Sequence, residues 1–116
     1  MNIEPKEMPQ LSEGQHTVHV TSMYLTDNGN RVLVNFAEEC SPASFPVQDI
    51  VDADGTVRFA GADGIARLQD FMHKANIGAT SLNHGEATPV SGKIQGSYVL
   101  KNGYYNWSLV AWKEVD

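Results

Sequence analysis

The sequence predicts a small, mainly β domain: a closed barrel of five strands with one helix between the third and the fourth. Three observations carry this. Residues 14–25 form a long alternating segment whose apolar parity flips partway, as in a bent strand. Asn-Gly pairs at 28–29 and 102–103 mark tight hairpins, because both central positions of such a turn need positive φ. Between them lies a single stretch whose apolar residues repeat with a helical period.

The elements follow in order. Residues 1–13 hold Pro5 and Pro9 and no sustained alternation, so they read as an arm before a single domain over 14–116. His16, Val18 and Val20 share one face of the first strand; Met23 and Leu25 continue on the opposite parity, which places a bulge near Ser22. The turn Asp27-Asn28-Gly29-Asn30 leads into a second strand, Arg31 to Phe36. Residues 37–46, with two Pro and two Glu, read as a loop. Val47 to Val51 and Thr56 to Phe59, around Asp52-Ala53-Asp54-Gly55, read as the third strand region.

Ile65, Leu68, Met72 and Ala75 then form one stripe, widened by Phe71, which predicts a helix over 64–77. Asp63 is its expected N-cap and Gly78 its expected stop. After a polar loop at 79–89 come strands over 90–100 and 104–113. A two-residue turn at Asn102-Gly103 sets Leu100 opposite Tyr105, Tyr98 opposite Trp107, Gly96 opposite Leu109 and Ile94 opposite Ala111 on an apolar side. The other side then carries Lys101 with Tyr104, Val99 with Asn106, Ser97 with Ser108, Gln95 with Val110, and Lys93 with Trp112.

Composition bounds the function. The chain has 116 residues, long enough for one core and too short for two. Its 8 Lys plus Arg against 14 Asp plus Glu give a net charge of −6, which argues against broad, charge-driven binding to nucleic acid but leaves room for a local basic path. Cys40 is the single cysteine, so there is no internal disulfide and no multi-cysteine zinc pattern, and a reducing cytoplasm is expected. No apolar run approaches the ~18 residues of a membrane span, and the first residues lack the blocks of a signal peptide.

Catalysis and metal binding find no support. His16, His19, His73 and His84 lack the i, i+4 spacing of a helical metal site. Aligning Gly55 with the sixth position of a calcium loop puts Ile50 first and Gly61 twelfth, where carboxylates are required. Cys40 has no neighbouring base, and Glu38-Glu39 reads as a solvated turn. No cofactor is expected.

The element order matches an OB-fold, a five-stranded Greek-key barrel whose ligands lie across strands two and three, between the 1–2 and 4–5 loops. Those loops are 27–30 and 101–104 here. A generic α+β sheet shares the order; the bent first strand decides for the barrel. Single-strand binding needs ring faces for bases and cations for phosphates. Tyr24, Tyr104 and Trp112 are the outward rings, and Arg31, Arg58, Lys93 and Lys101 supply charge, while Tyr105 and Trp107 are assigned to the core.

Over residues 14–113 the chain resembles small bacteriophage single-stranded-DNA-binding OB-fold proteins. The resemblance is carried by Gly14-Gln15-His16-Thr17-Val18-His19-Val20, by Gly64-Ile65-Ala66-Arg67-Leu68-Gln69-Asp70-Phe71, by Asn76-Ile77-Gly78 and by Tyr104-Tyr105-Asn106-Trp107. It implies a non-catalytic protein of the bacterial host cytoplasm. The partners implied are single-stranded DNA, replication or recombination proteins, and a second copy of the chain. Many such proteins carry an acidic C-terminal tail, whereas Trp112-Lys113-Glu114-Val115-Asp116 hardly passes the last strand. The rival reading is a protein-interaction module on the same barrel, engaging a host or virion protein through Asp49, Asp52 and Asp54.

Overall fold

A computed structural model describes residues 11–27, 29–59, 61–78, 80–82 and 85–115, without the side chains of Ile50, Arg58 and Phe59. Asn28, His84 and the first ten residues of the expected arm lie outside the described residues.

Strands β1 (Gly14–Leu25), β2 (Arg31–Phe36), β3 (Ala43–Pro46), β4 (Ile50–Val51) and β5 (Val57–Phe59) precede helix α1 (Gly61–Lys74). Then come β6 (Thr88–Lys101), β7 (Tyr104–Trp107) and β8 (Lys113–Glu114). The main sheet runs β3-β2-β1-β6-β7, antiparallel at every pairing, with β8 added along β6. β3 and β7 approach each other at the open seam, so the five strands form a nearly closed, OB-like barrel. β1 can pair with both neighbours because it is long and bends where its register shifts, between Val20 and Ser22.

The third barrel strand lies where a loop was expected. Ala43 and Phe45 point into the core from β3, whose register runs Arg31 opposite Pro46 to Val34 opposite Ala43. Proline is tolerated there because β3 is an edge strand and needs no amide donor on its free side. The segments expected to form this strand make a separate two-stranded hairpin, β4–β5, with Val51 opposite Val57.

The helix begins three residues before the expected start at 64, because its cap comes from outside the segment: the Gly61 N–H donates to Asp49 Oδ1 at 2.6 Å. Asp63, the expected cap, sits in the first turn, where a carboxylate still favours the positive end of the helix dipole. Gly61, Gly64, Leu68 and Phe71 face the barrel, and Ile65 is left 41% exposed. The stripe is rotated because the helix backbone presses on β3: a Cβ added to Gly64 would lie 1.6 Å from the Pro46 carbonyl oxygen. The helix stops at Asn76 rather than Gly78. Asn76 takes φ 60°, and the Ile77 N–H bonds back to Met72 O at 2.9 Å, the pattern of a left-handed C-terminal cap.

The core is built on Val18, Val20, Met23, Val32, Val34, Phe45, Phe71, Ile94, Tyr98 and Trp107, with Trp112 among them. Trp112, expected to face outward beside Lys93, is 3% exposed. The β6–β7 register holds as expected from Lys101 opposite Tyr104 to Tyr98 opposite Trp107. Past Ser108 the chain leaves β6, and when it returns Ile94 faces Glu114 instead of Ala111. That excursion turns the Trp112 indole inward, where its ring meets Phe71 edge-on at 4.7 Å between centroids.

Candidate nucleic-acid interface

The site forms where the barrel fails to close by strand pairing. Two side-chain bonds tie the seam instead: the Ser41 N–H donates to the Tyr98 hydroxyl and Trp107 Nε1–H donates to Ser41 O, each at 2.8 Å. Beyond this tie the edges part into an open groove of about 650 Å³. Ser41, Pro42 and Ser44 form one wall; Lys101, Asn102, Tyr104, Tyr105 and Asn106 form the other.

Each wall is held by local structure. Asn102 and Gly103 take φ 53° and 80°, the two positive values of a tight hairpin turn, so Lys101 and Tyr104 stand opposite each other at its base. Tyr104 is 74% exposed, its ring uncommitted to the core. Behind it Tyr105 stacks on Tyr98 with centroids 5.0 Å apart and planes 12° apart, which stiffens the hairpin. On the other wall Arg31 Nε–H donates to Ser44 Oγ at 2.6 Å, bringing the guanidinium to the rim. Tyr24 pairs with Leu33 and Leu33 with Ser44, so Tyr24, half-buried, extends the same outer face two strands back from the groove.

Thus Lys101 and Tyr104 line the groove, Arg31 stands at its rim, and Tyr24 lies on the outer side of the sheet two strands away. The other expected residues do not join them. Lys93 stands opposite His19 on the β1–β6 part of the sheet, in a separate hollow of about 560 Å³ that also holds Lys74 and Glu114. Trp112 is in the core, and the Arg58 side chain is outside the described residues. Ser41, Ser44, Asn102 and Asn106 line the groove without having been singled out. Asn106 was legible, being on the outer side opposite Val99; Ser44 was hidden by the reading of 37–46 as a loop.

Glu38, nearby, has a structural role. Glu38 accepts from the His19 backbone N–H at 2.7 Å and from His19 Nδ1–H at 2.8 Å, clasping the β2–β3 loop to β1. Burial pushes the Glu38 carboxyl up, but these bonds outweigh it and hold it below the ordinary carboxylate range. Cys40, in a small hollow beside Tyr104, has its thiol pushed up to about 11 by burial and then by the Glu38 and Glu39 carboxylates. Among the described residues no three His, Cys, Asp or Glu side chains gather into a metal-holding group, and no helix is long and apolar enough to cross a membrane.

None of the protein-family models, curated proteins or solved structures compared with this chain matches it.

Proposed function

We propose that this chain is a non-catalytic single-stranded-DNA-binding protein, with the groove between β3 and β7 as its binding site. One observation carries the reading: an exposed ring, Tyr104, stands beside Lys101 in an open groove whose far rim holds Arg31. An unpaired strand presents flat bases and phosphates, and a stacked base is worth about 1–3 kcal/mol on an aromatic side chain. The groove lies beside β3 and the hairpin loop 101–104, close to where ligands lie on OB barrels. Titration of labelled oligo-dT at low and high salt tests it; undetectable binding at low salt ends the proposal.

A second reading, a protein-interaction module, is favoured by the β4–β5 hairpin. Val51 and Val57, paired in register, are 59% and 54% exposed beside Asp52 and Asp54. Binding to a protein partner that is lost on changing Val51 and Val57 to Ser, with no oligonucleotide binding, would select this alternative.

A further inference from the structure

Resting on the reading of the groove as a single-strand site, we infer that the groove recognises bases more than backbone, and that Asn102 and Asn106 set its base preference. Charge comes first. Among the described residues Lys101 is the one cation lining the groove, and Arg31 reaches its rim through Ser44. Against them stands Glu39, which lines the adjoining hollow, while Glu13 accepts from the Leu100 N–H at 2.9 Å, one residue before Lys101. So small a surplus of cations leaves only a weak local attraction for phosphate, and the whole chain is at −6. A phosphate-led mode needs a surplus of cations along the path.

What the groove does offer is one open ring and a set of uncharged hydrogen-bonding groups. The Asn102 and Asn106 side-chain amides both line it, and neither has a hydrogen-bond partner among the described residues. Each amide presents donors and an acceptor side by side, the arrangement that pairs with the edge of a base. The turn fixes the backbone of Asn102 and the strand that of Asn106, so both amides project from set points on the groove wall. A base stacked on Tyr104 therefore has its edge within the same groove as two unused amides, and bases whose edges match are held longer. Selectivity of this kind falls on an unstacked, unpaired base, since a duplex hides that face.

The experiment is an anisotropy titration of labelled dA, dC and dT 12-mers against the full chain at several salt concentrations. The expected spread between the best and worst oligomer is tenfold or more, with a shallow salt slope of about −1.4 in log-log form, from two phosphate contacts at about −0.7 each. Asn106→Ala and Asn102→Gly, the latter keeping a residue that tolerates the turn, shrink the spread to below threefold. Lys101→Ala weakens all three alike. Equal affinities for the three oligomers, or a spread that neither asparagine variant moves, overturns the inference while the binding function stands. No binding to any oligomer overturns the function itself.

Discussion

The Trp112 ring lies against Gly96 so closely that a Cβ added to Gly96 would come within 2.3 Å of it, and within 2.9 Å of Trp107. The two indoles, 5.5 Å apart, occupy the space a side chain at position 96 would take. Gly96→Ala is therefore expected to overpack the barrel and lower stability by about 1–3 kcal/mol, read by urea unfolding. Unchanged stability would mean that Trp112 is not seated over β6.

The seam is held by Tyr98 and Trp107 through Ser41, not by a strand ladder. Tyr98→Phe removes the acceptor for the Ser41 N–H, at a cost of about 1–3 kcal/mol if that donor stays dry. Because Ser41 is also a groove wall, oligonucleotide affinity should fall with it. A variant with wild-type unfolding and wild-type binding would show that the tie is dispensable.

The Glu38 clasp sets a pH dependence. Its folded carboxyl titrates below the ordinary 4.5, so the stability it contributes is complete above that value and is lost as pH falls through the folded, lower one. The difference in Tm between wild type and Glu38→Ala should shrink as pH falls from 5 toward 3. A difference that grows over that range would contradict the assignment.

Cys40 should be a slow thiol. With its pKa pushed up to about 11, only about one molecule in a thousand carries the thiolate at pH 8, and since the greater nucleophilicity of that thiolate offsets part of the loss, disulfide-exchange labelling of the native protein should be slower than of the unfolded chain by roughly tenfold or more. Equal rates in the two states would contradict the buried, carboxylate-flanked setting.

The sequence revealed most where structure is decided locally. The bulge after Val20 follows from a parity change within twelve residues, and the β6–β7 register from Asn102-Gly103, whose turn leaves one pairing available. It failed where distant packing decides. Nothing within residues 61–64 announces that Asp49 caps the helix, and nothing near Trp112 announces that the chain leaves β6 after Ser108 to bury an indole over Gly96. β3 was hidden because its four residues end in proline, a strand breaker except on an edge, and the edge is a property of the whole sheet. The site was legible in the same way: Lys101 and Tyr104 came from the turn, Tyr24 from strand parity and Arg31 from its place on the second strand, whereas Ser41 and Ser44 needed the seam.

The most direct test is the affinity of labelled oligo-dT for the wild-type chain and for Tyr104→Ala at low salt. Tyr104 is largely exposed and packs no core, so the variant should fold as the wild type does and lose about 5- to 150-fold in affinity, the worth of one stacked base. Wild-type binding with Tyr104→Ala at the same affinity would contradict the assignment of the groove, and absence of wild-type binding would contradict the proposed function.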